Sequence, residues 1–187
     1  MGLCDIFSTT PEPEMISPRS CRAIEIECES EIDQLKTEPA KFEKRVFNCL
    51  WANKKQLRLK KVERLQNCLI DGRLECEDGR IVGLEMKYAM NWCNACKAGW
   101  QLQKSIERYE ASLGRFSEAI VIFDHFTGDW DRGSAGRNRK NGWNRWYEDH
   151  YKIGKLKVHL LQFTQGRLIN LDGKTVYTCT DTDDARP

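Results

Sequence analysis

The sequence predicts an α/β protein whose central mixed β-sheet is flanked by helices. Three observations predict it. Two apolar-rich runs, Cys68 to Cys76 and Arg80 to Tyr88, alternate with period two on either side of Glu77-Asp78-Gly79, as the strands of a hairpin do. Apolar residues recur at helical spacing both before and after that pair. Glu118 to Phe123, beyond the second helical stretch, is a continuous apolar run suited to a buried central strand. With 187 residues, 40% of them hydrophobic, the chain can bury one good core.

Each element has its own justification. Residues 1–36 contain three of the five prolines, several Ser and Thr, and the acidic run Glu25 to Asp33. They read as a mostly disordered acidic arm with room for one short ordered piece. One domain is expected over residues 37–180. Pro39 suits the first position of a helix, and Phe42, Val46, Cys49 and Leu50 follow at helical spacing, with Glu43 inside the apolar arc. Lys54 to Arg64 is a basic run of the kind found on a solvated strand or helix face. A second helix is expected over about Asn91 to Glu110, with a stripe of Trp92, Ala95, Cys96, Leu102 and Ile106; Gln103 lies near the centre of that stripe and Gln101 points away. Lys155 to Phe163, Arg167 to Leu171 and Lys174 to Thr178 read as strands, the last two joined by an Asp172-Gly173 turn. Residues 181–187 read as a frayed end. No internal repeat is present.

The hairpin carries the chemistry. A two-residue turn at Asp78-Gly79 would place Asp71 opposite Met86 and mix polar with apolar side chains on both faces. A three-residue loop, with Gly79 in the left-handed conformation, pairs Cys76 with Arg80 and sets Asp71 opposite Glu85. One residue of slip exchanges the two faces, so the hydrophobic pattern selects the register. It selects the three-residue loop, which gathers Ile70, Leu74, Val82, Leu84, Met86 and Tyr88 on one face. Asp71, Arg73, Glu75, Glu85 and Lys87 then share the other. Two carboxylates on neighbouring strands suit a hard cation such as Mg²⁺ or Mn²⁺, which keeps waters for a phosphate substrate. Lys87, two residues beyond Glu85, lies on the same face and can position an attacking water and offset charge on phosphate.

Asp71 followed by Glu85-Met86-Lys87 resembles the core of the PD-(D/E)xK, or restriction-endonuclease-like, nuclease superfamily. The motif spans Cys68 to Tyr88, and the flanking helices extend the likeness from about Glu38 to Phe126. The resemblance implies a restriction-endonuclease-like core of order α-β-β-β-α-β and a metal-dependent deoxyribonuclease. It implies Asp71 and Glu85 as metal ligands, the Met86 carbonyl as a further ligand, and Lys87 as the catalytic lysine. It also implies an assisting acid on the preceding helix, which Glu43 matches, and a glutamine on the following helix, for which Gln103 is the expected residue. One exonuclease-like branch carries Gln-Leu-x-x-Tyr on that helix; this chain has Gln101-Leu102-Gln103-Lys104-Ser105 and departs from it at the tyrosine. A non-catalytic nucleic-acid-binding protein on the same fold is the alternative within this architecture.

Trp92-Cys93-Asn94-Ala95-Cys96-Lys97 resembles the redox motif of thioredoxin-like oxidoreductases, in which Cys93 would be the nucleophile and Cys96 the resolving thiol. Such domains set a cis-proline against the dithiol. The prolines here are Pro11, Pro13, Pro18, Pro39 and Pro187, so none follows Cys96 until the last residue. One CxxC supplies two ligands where structural zinc needs four. The nine cysteines are therefore expected as packed, reduced thiols. An odd cysteine count, without an apolar leader or a long apolar run, points to a soluble intracellular protein and to no membrane partner.

The net charge of +2 conceals an asymmetry. The first forty residues hold nine acids and three bases, and the rest hold 27 bases and 19 acids. A basic body is expected to meet nucleic acid, most simply DNA. Residues 127–146 interleave Trp130, Trp143 and Trp146 with Arg132, Arg137, Arg139, Lys140 and Arg145 among glycines and asparagines. Cations meet phosphate and aromatic faces stack on bases, so this long loop is the expected nucleic-acid grip. No segment identifies the self-complementary surface a homodimer would need.

Overall fold

In a computed structural model of the chain, residues 22–25, 37–66, 68–113, 116, 118–127 and 157–179 are described. Most of the arm, the 181–187 tail and the loop after Thr127, with all its expected nucleic-acid contacts, lie outside them. The elements are β1 (Arg22–Glu25), α1 (Glu38–Ala52), β2 (Leu59–Gln66), β3 (Gly72–Cys76), β4 (Ile81–Met90), α2 (Trp92–Leu113), β5 (Glu118–Phe126), β6 (Lys157–Thr164), β7 (Arg167–Asn170) and β8 (Thr175–Thr178). From α1 to β5 they follow the expected α-β-β-β-α-β order. The basic run ahead of the hairpin becomes β2, where Lys60 pairs with Glu75 and Arg64 with Glu43. β1 is the part of residues 1–36 that the described residues include.

All eight strands form one mixed sheet in sequence order. β1 to β4 are antiparallel neighbours; β4, β5 and β6 are parallel; β6, β7 and β8 are antiparallel again. Parallel pairing of β4 with β5 requires a crossover, which α2 supplies. Pro39 opens α1, and Asn91 caps α2 by accepting the Asn94 N–H at 2.9 Å. α1 buries Phe42, Val46, Phe47 and Leu50 against Leu74, Val82, Leu84, Ile120 and Ile122. α2 buries Ala95, Ala98 and Leu102 against Phe116, Ala119, Val121 and Phe123 on the other side. β5 therefore has both faces covered, which is why its sequence is continuously apolar.

The hairpin register is the three-residue one. Gly72 pairs with Leu84, Leu74 with Val82, and Cys76 N–H donates to the Arg80 carbonyl at 2.9 Å, with Gly79 at φ +86°. Two expectations are corrected. The strand begins at Gly72 and not Cys68, because residues 68–71 bend out of the ladder. That bend turns Ile70 away from the Leu74 and Leu84 face and into the α2-side core. Cysteine chemistry also differs: Cys49 and Cys179 are joined in a disulfide, and Cys68 and Cys76 are also disulfide-bonded, so these four are not reduced thiols. Among the described residues, no helix is long and apolar enough to cross a membrane.

Candidate active site where β3 leaves β4

Asp71 sits immediately before β3, at the point where the chain separates from β4. Hydrogen-bonded pairs alternate along an antiparallel ladder, so after Gly72 with Leu84 the next would be Ile70 with Met86. The bend removes Ile70 from that position. Instead the Asp71 Oδ2 accepts the Met86 N–H at 2.6 Å, and the Asp71 N–H donates to the Leu84 carbonyl at 3.1 Å. A carboxylate thus replaces a backbone carbonyl at the end of the ladder and is fixed beside Glu85.

Glu85 is 1% exposed, between β3 and the parallel neighbour β5. The Lys87 ammonium donates to its Oε1, while its Oε2 is buried with no hydrogen-bond partner. Lys87 also donates to the Gln101 Oε1 at 2.8 Å, and Gln101 Nε2 donates to the Leu69 carbonyl at 2.6 Å. Gln101 therefore ties the lysine to the same bend that presents Asp71. From the other side of the sheet, α1 brings Glu43, whose carboxylate meets the Arg64 guanidinium at 3.4 Å.

Burial raises all three carboxyls above their ordinary range. Burial pushes Glu85 up to about 8, with Asp71 and Glu43 adding to the rise and Lys87 opposing it. Burial raises Asp71 as well, against the Met86 N–H and the charges of Lys87 and Arg64. Glu43 is raised by burial and then by Asp71. Three acids, Glu43, Asp71 and Glu85, share a low-dielectric place with Lys87 and Arg64, and one buried oxygen of Glu85 lacks a partner. Burial with specific charge partners makes these residues the candidate functional site.

A divalent cation would relieve that imbalance. Mg²⁺ takes one or two carboxylates and fills its remaining positions with water and substrate oxygens, so Asp71 and Glu85 suffice as side-chain ligands. Among the described residues no three His, Cys, Asp or Glu side chains are gathered closely enough to bind one ion together. Glu43 adds to the rise of the Glu85 carboxyl and pairs with Arg64. Met86 lies in β4 with its side chain in the α1-side core.

The glutamine that meets Lys87 is Gln101, where Gln103 was expected. Among the described residues the buried positions of α2 are Ala95, Ala98, Gly99, Leu102 and Ser105, which turn the helix so that Gln101, three residues after Ala98 and four before Ser105, flanks the sheet on the Lys87 side. The expected stripe leaned on Trp92 and Cys96, whose side chains lie outside the described residues, as does that of Cys93. Arg64, beside Glu43, and His125, beside Tyr88, carried no sequence signal of their own. Arg64 stood out only as one charge in a basic run. His125, one of three scattered histidines, lies at the end of β5 with Nδ1 3.0 Å from Asp124, whose other oxygen meets Arg45, and edge-on to Tyr88.

No protein-family model, curated protein or solved structure matches the chain.

Proposed function

We propose that this chain is a metal-dependent nuclease of the PD-(D/E)xK kind, with a restriction-endonuclease-like core, hydrolysing phosphodiester bonds in DNA. The observation that carries the reading is the buried Glu85, with one oxygen on Lys87 and the other without a partner, beside an Asp71 fixed by the Met86 N–H. The α-β-β-β-α-β order around it supports the same reading.

In this reading Asp71, Glu85 and the Met86 carbonyl hold Mg²⁺ or Mn²⁺. The bound metal supplies Lewis acidity toward the phosphate and lowers the pKa of a coordinated water. Lys87 positions that water and places positive charge where the phosphate gains negative charge. Gln101 sets the direction of Lys87, and Arg64 restrains Glu43 at the margin. The basic, tryptophan-rich segment 127–146 is assigned to gripping the substrate, through Arg132, Arg137, Arg139, Lys140, Trp143, Arg145 and Trp146.

The test is cleavage of labelled single-stranded, duplex and branched DNA with Mg²⁺, Mn²⁺ or EDTA. Wild type should cut only with metal, and Asp71→Ala and Lys87→Ala should each lower the rate by about 10² or more. Binding without cleavage on every substrate would replace this reading with a nucleic-acid-binding protein on the same fold.

A further inference from the structure

The solvent face of α2 carries an arrangement that the site does not use. Lys97, Trp100, Lys104 and Arg108 are all exposed, and their steps of three, four and four residues place them in one stripe along the helix. Trp100 is 54% exposed, one of two large hydrophobic side chains left in water among the described residues. A solvated helix face accounts for the lysines and the arginine, but not for an indole held open between them. The stripe spans about 16 Å at 1.5 Å per residue, the length of a few nucleotides.

We propose that this face is a docking ridge for a single-stranded polynucleotide, with a base stacked on Trp100 and phosphates met by Lys97, Lys104 and Arg108. Charge complementarity selects a polyanion. The exposed indole selects one whose bases are free to stack, since a duplex offers its bases only at ends. The ridge and the candidate site share one helix, since Gln101, the residue after Trp100, holds Lys87. The inference deepens the nuclease reading by naming the form of substrate, while strand binding itself requires no cleavage.

The experiment is fluorescence anisotropy with the full chain in EDTA, using labelled oligothymidylate, oligouridylate and a blunt duplex across a salt series. Trp100→Ala should weaken single-strand binding about ten-fold or more, and Trp100→Phe should recover most of it. Replacing Lys97, Lys104 and Arg108 together by Ala should flatten the dependence of log K on log salt by about 2, at roughly 0.7 per phosphate contact. Lys41→Ala, which removes a charge from α1, should leave that slope unchanged. The two single strands distinguish DNA from RNA as the source of the same chemistry. Single-strand binding that Trp100→Ala changes less than two-fold, preference for the duplex, or no single-strand binding by wild type would each overturn the ridge. Cleavage persisting beside such results would leave the nuclease reading standing. Ridge-dependent binding without metal-dependent cleavage would overturn only the latter.

Discussion

Lys87 touches an acid on its own strand and an amide from α2, and the amide decides where its charge points. A hydrogen bond to a charged group contributes about 1.5–3 kcal/mol. Gln101→Ala should therefore lower the single-turnover cleavage rate about ten-fold or more, whereas Gln103→Ala should stay within about two-fold; equal effects would remove Gln101 from its positioning role. A second residue-scale expectation concerns His159, whose Nε2 lies 3.2 Å from the Glu118 carboxylate on β5. That carboxylate favours an imidazolium, but burial and then Lys157 oppose it and bring His159 down to about 4. Burial wins, so the contact is that of a neutral ring. Because the folded value lies below the unfolded one near 6.5, His159 contributes stability that is present above pH 6.5 and lost as pH falls toward 4. Urea midpoints between pH 7 and 4.5 should fall less for His159→Gln than for wild type, and parallel curves would show that the ring is not held neutral.

The β3–β4 hairpin is the element on which the site depends, and its tolerances are narrow. A Cβ on Gly83 would stand 2.6 Å from the Phe116 ring, on the face of β4 that carries Glu85 two residues later. Gly83→Ala should cost about 1–3 kcal/mol by overpacking, read as a lower urea midpoint with unchanged slope. Phe116→Leu in the same background should return part of it; no cost for Gly83→Ala would mean that Phe116 does not pin β4. Much of this element could be read from the chain. Period-two alternation and the Glu77-Asp78-Gly79 loop specify one register, because the other mixes the faces. The bend at residues 68–71 could not be read, since its cause is partly remote: Gln101 takes the Leu69 carbonyl from 32 residues away. Close packing adds to it, as a Cβ at Gly72 would meet the Glu63 carbonyl at 2.9 Å. Gln101 was missed for a related reason. Helical periodicity gives the width of an apolar arc, but which flank faces the lysine depends on how the crossover seats the helix on β4.

At the scale of the whole molecule, the far edge of the sheet returns to its first helix. In a flat sheet β8 would stand four strands from β4, about 19 Å away at ~4.8 Å per strand, beyond the reach of a helix packed over β2 and β4. Yet Val176, Tyr177 and Cys179 pack against the core under α1, and Tyr177 Oη donates to Asn53 Oδ1 at 3.1 Å. Only a curled sheet brings them there, a shape that right-handed strand twist favours. The Cys49–Cys179 disulfide fastens that closure across 130 residues of sequence. A cross-link over so long a loop restricts the unfolded chain strongly, so its loss should cost roughly 2–5 kcal/mol. Cys179→Ala should therefore lower the urea midpoint, and dithiothreitol should lower it further through the bonds of Cys68 and Cys76. The candidate site lies where β3 leaves β4, away from this seam, so metal-dependent cleavage by Cys179→Ala should persist at temperatures where the variant remains folded. An unchanged midpoint would mean that apolar packing of β8 alone closes the sheet. Lost cleavage in a folded variant would mean that the curl of the sheet sets the spacing between Asp71 and Glu85.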